Sequence, residues 1–318
     1  MKNRTIFIIC AGVMIFAAIS ASVVSRRSAG GAAGGERGLK VVTTIFPLYD
    51  MARSIGGRNA EVTLLLPPGV EAHSFEPKPG DMARINEADI FIYTGKFMEP
   101  WAEDLVRSVT NKRLLVVNAG DGVNLMLEGG AGRGNHETAL DPHIWLDFDS
   151  AKTMAGSVFA AFSAKDPSNN EVYRGAAAVY AGGLSALDSA YKSGLSACRT
   201  KEIIYGGHYA FGYLARRYGL KYMAAQGLSP DSEPTAKDLA SLVEQVKKDK
   251  IKFIFYEELT SPKIAETIAA ETGAKMLPLS AAHNITRDQF ARGISFFDIL
   301  RGDLVNLKIG LECAVSGK

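Results

Sequence analysis

From residue 40 onward, short apolar runs alternate with amphipathic stretches of helical period. The apolar runs predict strands over residues 40–46, 61–66, 89–93, 113–118, 202–205, 222–226, 251–256 and 275–279. Short, continuously apolar strands that are separated by helices are typical of parallel sheets covered on both faces. The same order of strand, loop and helix recurs in the second half of the chain. The pattern therefore predicts an α/β fold of two lobes, each with a mostly parallel sheet flanked by helices.

Amphipathic stretches fill the intervals between the predicted strands. Helices are expected at residues 77–88, 98–109, 209–218, about 231–248 and 262–272, with a last one beginning near Thr286. Between the halves, residues 150–197 are helical almost throughout, apart from a break at Asp166-Pro167, and residues 170–197 predict one helix of roughly 40 Å. A chain of 318 residues exceeds the usual size of one core. We expect an N-terminal lobe (39–149), a linking helical segment (150–197) and a C-terminal lobe (198–318), with little hinging.

The amino terminus has a different pattern. Lys2 and Arg4 precede an apolar run over residues 5–24, which small residues and two arginines follow. This order is typical of a bacterial export signal, and an uncleaved anchor is the alternative because the run approaches the roughly 20 residues that span a bilayer. Residues 1–27 are assigned to this segment, and the Gly/Ala-rich residues 28–38 to a flexible linker. Both alternatives place the protein in the periplasm or on the outer face of the cytoplasmic membrane.

Composition and charge narrow the classes of partner. The formal net charge is +2 and no basic stripe with interleaved aromatic residues occurs, which argues against nucleic acid. Cys10 lies too early in the apolar run to favour a lipid attachment site. Beyond the signal, Cys198 and Cys313 remain, and in an oxidising compartment such a pair either forms a disulfide or stays as two buried thiols. The sequence leaves that choice open.

Four of the five histidines share a position type: each lies at a junction between a predicted strand and a loop. They are His73, His143, His208 and His283, and neighbouring members are 65 to 75 residues apart. Imidazole is the commonest protein ligand for zinc. Ligands this far apart must be gathered by a fold that already exists, and loops converge beyond the carboxyl ends of parallel strands. The spacing therefore predicts a metal site in the cleft between the lobes.

Several motifs carry a family resemblance over nearly the whole chain from residue 40. They read PPGVEAHSFEPKPGD, DPHIWLD, HYAFGYLARRYGL, GLSPDSEPTAKDL and FYEELTSPKIAETIAAETGAK. With these motifs the chain resembles the zinc-uptake solute-binding proteins of bacterial ABC importers (ZnuA-like), within the wider zinc/manganese receptor group. The resemblance puts His73, His143 and His208 on the family's three histidine ligands. In manganese-type relatives the third position is usually a carboxylate, so His208 favours zinc.

The fourth ligand position departs from the family pattern. Relatives place Asp or Glu in the loop after the last strand, whereas residues 280–286 contain no carboxylate here. His283 is the natural replacement and would give a tetrahedral four-imidazole site, with a water-completed three-histidine site as the alternative. His136, in the Gly-rich residues 128–138, is expected to be exposed, with a weak, transient metal contact as the alternative. Glu257 and Glu258 either orient a ligand imidazole or cap the helix near Pro262.

The function that the resemblance implies is an extracytoplasmic receptor that captures Zn²⁺ and delivers it to an ABC-type membrane permease. The protein is expected to be a monomer that meets the membrane only through its N-terminal segment or the permease. A manganese or iron(II) receptor is the first alternative, and a surface adhesin is another. A secreted zinc hydrolase, with Glu71 as base, is disfavoured because the chain has neither an H-E-x-x-H helix nor a G-x-S-x-G elbow. No enzymatic activity is expected.

Overall fold

The computed structural model describes residues 38–127, 139–231 and 233–314. Within these residues, eight strands form two four-stranded sheets. The first sheet contains β1 (Leu39–Thr43), β2 (Ala60–Leu64), β3 (Ile90–Tyr93) and β4 (Leu115–Asn118); the second contains β5 (Glu202–Tyr205), β6 (Lys221–Ala224), β7 (Phe253–Tyr256) and β8 (Lys275–Pro278). All paired strands are parallel, which confirms the predicted fold class.

The two sheets have the same connectivity. Their strand orders are β2-β1-β3-β4 and β6-β5-β7-β8, so in each half the first strand lies between the second and the third. The registers correspond as well, with Val41 opposite Val62 in the first sheet and Ile203 opposite Tyr222 in the second. Because every strand runs in the same direction, all loops that follow the strands leave from one edge of each sheet.

Ten α-helices cover the sheets in the described part of the chain. They are α1 (Phe46–Gly56), α2 (Pro79–Asn86), α3 (Ala102–Ser108), α4 (Phe148–Lys165), α5 (Asn170–Gly194), α6 (Gly212–Tyr218), α7 (Ala236–Lys248), α8 (Lys263–Thr272), α9 (Arg287–Ala291) and α10 (Phe296–Gly310). The predicted linking segment is α4 and α5, separated by a 3₁₀ turn at Pro167–Asn169. Helix α5 has 25 residues, which corresponds to roughly 37 Å.

The C-terminal region differs from the prediction of one helix that begins near Thr286. Thr286 does begin a helix, with a capping box to Gln289, but α9 ends at Ala291. Gly293 follows with a φ of 70°, a left-handed conformation that breaks the helix. Ser295 then starts α10 with a second capping box to Asp298. The single predicted helix is therefore two helices, because a glycine and a second cap separate them.

The strands divide their side chains between two faces, and both faces are buried. In β5, Ile203 and Tyr205 belong to a large core shared by both sheets, while Ile204 belongs to a separate core under α7 and α8. In β1, Val41 and Val42 divide in the same way. The shared core also contains side chains of α1, α4 and α5. This burial explains why the strands are continuously apolar in sequence, since a strand covered on both faces has no polar side.

Beyond the two sheets, the described chain has one covalent cross-link. Cys198, just before β5, and Cys313, after α10, form a disulfide, which resolves the choice left open by the sequence. No helix among residues 38–127, 139–231 and 233–314 is long and apolar enough to cross a membrane. The predicted export segment (1–27) and linker (28–38) lie outside the described residues apart from Gly38, and the domain boundaries stay predictions.

Candidate metal centre

The four histidines predicted from the sequence meet beyond the carboxyl ends of the two sheets. His208 follows β5 and His283 follows β8, each within a few residues of the strand end. His73 comes after β2, and His143 immediately precedes the 3₁₀ turn Ile144–Leu146. His143 and His208 are 0% exposed and His283 is 2% exposed, whereas His73 is partly buried. Histidines buried this fully are uncommon unless their nitrogens have a structural or chemical task.

The rings of His73 and His208 each place their Nε2 atom next to that of His143. The Nε2 atom of His143 lies 3.2 Å from that of His73 and 3.2 Å from that of His208. Two nitrogen ligands of a tetrahedral zinc, each at 2.0–2.1 Å from the ion, are about 3.3 Å apart. The separations therefore fit the edges of a tetrahedral coordination shell, and one potential ligand atom from each of the three residues lies within 4.8 Å of the others.

A carboxylate two residues earlier in the chain orients His143. Asp141 Oδ1 lies 2.7 Å from His143 Nδ1 and also accepts a hydrogen bond from the His143 backbone N–H at 3.0 Å. With Nδ1 engaged in this way, Nε2 is left free to face the other rings. Gly212 makes the arrangement possible, because a Cβ at that position would lie 2.7 Å from Asp141 Oδ2. The sequence analysis did not identify Asp141, although the Asp-x-His spacing was a signal.

A second carboxylate orients His208 from the neighbouring strand. Glu257, at the end of β7, places Oε2 2.7 Å from His208 Nδ1 and is 4% exposed. Of the two roles that the sequence left open for this pair of glutamates, Glu257 has the orienting one. The adjacent Glu258 is exposed and accepts a hydrogen bond from Gln289. Helix α8 has no side-chain cap, so neither glutamate caps it.

His283 lies beside the three converging rings. Its ring centroid is 5.6 Å from that of His208 and 6.0 Å from that of His73. Its Nε2 atom is 3.8 Å from one oxygen of Glu71 and 3.8 Å from one oxygen of Glu257. Neither ring nitrogen has a hydrogen-bond partner among the described residues. Buried imidazole nitrogens without partners are costly, and the Nε2 atom of His283 faces two carboxylates of this cluster.

Glu71 connects His73 and His283. Its Oε1 atom accepts a hydrogen bond from the His73 backbone N–H at 2.9 Å, while Oε2 is the oxygen that faces His283. The carboxylate is thus partly engaged in fixing the backbone of the His73 loop. Glu71 therefore has a hydrogen-bonding role in the loop that carries His73.

Burial and mutual charge determine the protonation of the cluster. Burial, together with the positive charges of neighbouring rings, holds the pKa values of His73 and His143 well below the ordinary 6.5. Burial also lowers the pKa of His283, against the opposing effect of Glu71 and Glu257. His208 differs: burial lowers its pKa, but the charge and hydrogen bond of Glu257 outweigh that effect and the pKa is raised. Three of the four imidazoles are therefore neutral at pH 7, the state that binds metal.

The two supporting carboxylates also differ in charge. Burial raises the pKa of Asp141 to about 7, whereas the positive charge and hydrogen bond of His208 outweigh burial and lower the pKa of Glu257. The Asp141–His143 pair is thus close to neutral, and the Glu257–His208 pair is an ion pair. When the His208 proton leaves, the Glu257 carboxylate remains as a negative charge next to the three converging rings.

His73 is the ring of the cluster that lines a surface cavity. A cavity of about 420 Å³ reaches this ring and is lined mainly by apolar side chains, among them Phe97, Met98, Pro142 and Leu228. A larger cavity of about 770 Å³ lies between α7 and α8 and is lined by none of the four histidines. The predicted exposed histidine, His136, lies outside the described residues.

The class of protein that this arrangement defines is a two-sheet α/β protein that holds a transition-metal ion between the ends of its sheets. Residues 41–310 match the family described as zinc-uptake complex component A, periplasmic. The chain belongs to this family, as its motifs indicated.

Individual relatives agree with this assignment. The chain is 36% identical to the high-affinity zinc uptake system protein ZnuA of Bacillus subtilis, over 98% of each chain. It resembles the structure of the Zn(II)-bound ZnuA-like domain of Streptococcus pneumoniae AdcA with a TM-score of 0.74 at 34% identity, covering 86% of this chain and 99% of that one. It also resembles the laminin-binding protein Lmb of Streptococcus agalactiae, described as bifunctional with adhesin and metal-transporting activity, with a TM-score of 0.77 at 31% identity over 86% and 99% of the two chains.

Proposed function

We propose that this protein is an extracytoplasmic receptor that captures Zn²⁺ and delivers it to an ABC-type permease. The observation that carries the proposal is the convergence of three imidazole Nε2 atoms at the spacing of a tetrahedral zinc shell. Membership of a zinc-uptake family supports it independently. Both lines of support concern the cargo; the permease is inferred from the family description of an uptake complex.

The proposed ligands are His73, His143, His208 and His283. Ligand atoms of His73, His143 and His208 lie within 4.8 Å of one another, and those of His208, Glu257 and His283 form a second such group, so His208 links His283 to the other two rings. The fourth imidazole closes the shell, and a closed shell suits a protein that carries a metal without transforming it. If His283 stays out of the shell, water or an oxygen of Glu71 takes the fourth position.

Zinc is preferred over manganese or iron(II) as cargo because of the donor atoms. Imidazole nitrogens suit zinc, whereas manganese favours carboxylate and water oxygens in octahedral geometry. Asp141 and Glu257, the carboxylates closest to the rings, are engaged with imidazole Nδ1 atoms. One oxygen each of Glu71, Asp141 and Glu257 has no hydrogen-bond partner among the described residues, but the atoms that lie at the spacing of a metal shell are imidazole nitrogens.

The chain belongs to a family of zinc-uptake components, which supports a binding protein and not an enzyme. The hydrolase alternative requires a free carboxylate base next to an open metal position. Glu71 is the nearest candidate, and one of its oxygens fixes the His73 loop. We infer that the receptor acts as a monomer and that its contact with the membrane is limited to the N-terminal segment and the permease.

The test is zinc stoichiometry and affinity, measured by mass spectrometry of the purified protein and by chelator competition. We expect one zinc per chain in the wild type, and an affinity roughly 10²–10³-fold lower in His143→Ala. His136→Ala is the matched control, because it removes a histidine that is not among the proposed ligands; its affinity should equal that of the wild type. Tight binding of manganese in preference to zinc would contradict the proposed cargo. A wild type that binds neither metal would overturn the receptor function.

A further inference from the structure

Residues 279–285, which we call the bridging loop, form hydrogen bonds with segments from both halves of the chain. The Leu279 carbonyl accepts a hydrogen bond from the Tyr205 hydroxyl at 3.1 Å, at the end of β5. The Ala281 carbonyl accepts one from the Trp145 indole N–H at 2.7 Å, in the 3₁₀ turn of the first half. Each of these partners lies two or three residues from a histidine of the cluster. The bridging loop carries the fourth histidine itself.

The third connection is made by the Asn284 side chain together with one backbone hydrogen bond. Its Nδ2 atom donates to the Pro67 carbonyl at 2.9 Å and to the Val70 carbonyl at 2.7 Å, across 217 and 214 residues of sequence. Its Oδ1 atom accepts from the Ile285 backbone N–H at 2.9 Å, and the Gly69 backbone N–H donates to the Ile285 carbonyl at 2.8 Å. These partners fix the orientation of the amide group, since two carbonyls can only face its N–H side.

The turn that Asn284 holds leads directly into the His73 loop. Residues 67–70 precede Glu71, whose carboxylate accepts a hydrogen bond from His73 and faces His283. Asn284 is 1% exposed, so water does not replace its hydrogen bonds if they are lost. The loop conformation is also demanding, because the buried Ala282 has a φ of 56°. A backbone in this region persists only where its surroundings enforce it.

We propose that Asn284 is a positioning residue that locks the turn at residues 67–70 onto the bridging loop, so that His73 and His283 enter the metal site as one unit. This inference rests on the proposed function as a zinc receptor. Asn284 touches no metal; it acts through the two loops. His73 and His283, which follow strands of different sheets, are then held at a fixed separation before zinc arrives. This reduces the conformational entropy that the two loops lose when zinc binds.

The test replaces the amide by an apolar side chain of similar size, Asn284→Leu. Zinc affinity, measured by chelator competition, should fall roughly 10–100-fold, the usual effect of removing a group that supports a metal ligand. Asn306→Leu is the matched control, because Asn306 Nδ2 donates a single 2.9 Å hydrogen bond to the Pro278 carbonyl and does not reach the first half. Its zinc affinity should stay within about twofold of the wild type, on the same reasoning.

A double-mutant cycle separates positioning from a general structural role. In the His73→Ala and His283→Ala backgrounds, Asn284→Leu should lose most of its effect on zinc affinity, because locking two ligands together matters only when both are present. The visible absorption of the Co²⁺-loaded protein should change with Asn284→Leu and not with Asn306→Leu, since it reports coordination geometry. If Asn284→Leu fails to fold, Asn284→Ser, which keeps a hydroxyl donor, takes its place.

The outcomes separate the two proposals. Full additivity of Asn284→Leu with His73→Ala, or wild-type zinc affinity and Co²⁺ spectrum in Asn284→Leu, would overturn the positioning role while leaving the receptor function intact. A wild-type protein that binds no zinc would overturn the receptor function, and the positioning role with it. If Asn284→Leu lowers the zinc affinity of the wild type but not that of His73→Ala or His283→Ala, the positioning role is supported.

Discussion

Two of the clustered histidines are held by carboxylates, and two are not. His143 and His208 are fully buried, and each has a carboxylate oxygen 2.7 Å from its Nδ1 atom. His73 is fixed through its backbone and is partly exposed, and His283 is buried without a hydrogen-bond partner for its ring among the described residues. The first pair is preorganised, whereas the second pair depends on the loops that carry it.

The difference assigns separate tasks to the two pairs. A ring held by a carboxylate keeps its tautomer and direction with or without metal, so it defines where the ion sits. A ring held only by its loop can adjust as the ion arrives or leaves. His73 is the ring of the four that lines the cavity of about 420 Å³, so one of the adjustable ligands faces open space. A receptor that must both bind and deliver its cargo needs both kinds of ligand.

The largest expected effect compares one histidine from each pair. His208→Ala should weaken zinc binding by roughly 10²–10³-fold, about one quarter of the free energy of a four-ligand zinc site. His283→Ala should cost less, about tenfold, because water can occupy a fourth position that a side chain leaves. Chelator competition at pH 7.5 measures both. Equal losses would show that the two pairs do not differ in importance, and no loss in His283→Ala would place His283 outside the shell.

The next effect compares the two supporting carboxylates. Glu257→Gln should weaken zinc binding more than Asp141→Asn, with both losses within roughly 10–100-fold. The reason is charge: the pKa of Glu257 is lowered and its carboxylate is ionised beside His208, whereas burial brings the pKa of Asp141 to about 7. The amide at 141 removes less negative charge from the free protein than the amide at 257 does. A larger loss in Asp141→Asn would refute this assignment of charges.

The preorganised pair also shows what the sequence could predict. Parallel strands send their loops to one edge, so the strand-and-loop pattern was enough to bring histidines 65 or more residues apart into one place. Local chemistry was also readable: Asp141 stands two residues before His143, and the spacing permits both a backbone and a ring hydrogen bond. Asp141 was missed because the motif was considered only for its histidine.

The adjustable pair depends on contacts that no local pattern reveals. Asn284 donates to carbonyl groups more than 200 residues away in the sequence. Every residue has a backbone carbonyl, so the residue types at those positions do not predict the contact.

The helix break at Gly293 could be predicted from the glycine and the second capping box, but the amphipathic periodicity continues across it and favoured one helix. Periodicity describes which face is buried, and a separate signal is required to locate where a helix ends.

The smallest expected effect is on the number of protons released when zinc binds, and it depends on His208, the histidine of the cluster whose pKa is raised. Zinc binds neutral imidazole, so the extra proton of any imidazole that is cationic in the free site must leave when the ion binds. His208 has a pKa raised above 6.5 and therefore keeps its proton at pH 6.5, while the lowered pKa values leave His73, His143 and His283 neutral there. Asp141, with a pKa of about 7, holds a second proton for part of the time.

Zinc binding at pH 6.5 should therefore release about one to two protons per ion, well below the four that unperturbed histidines would approach at lower pH. Affinity should fall as pH decreases through the raised pKa of His208. Glu257→Gln removes the cause of that raised pKa, so proton release should drop by about one and the fall in affinity should move to lower pH. Titration calorimetry in buffers of different ionisation enthalpy measures the released protons directly. Unchanged release in Glu257→Gln would mean that the Glu257–His208 pair is not ionised in the free protein, and the contrast between the two supporting carboxylates would be lost.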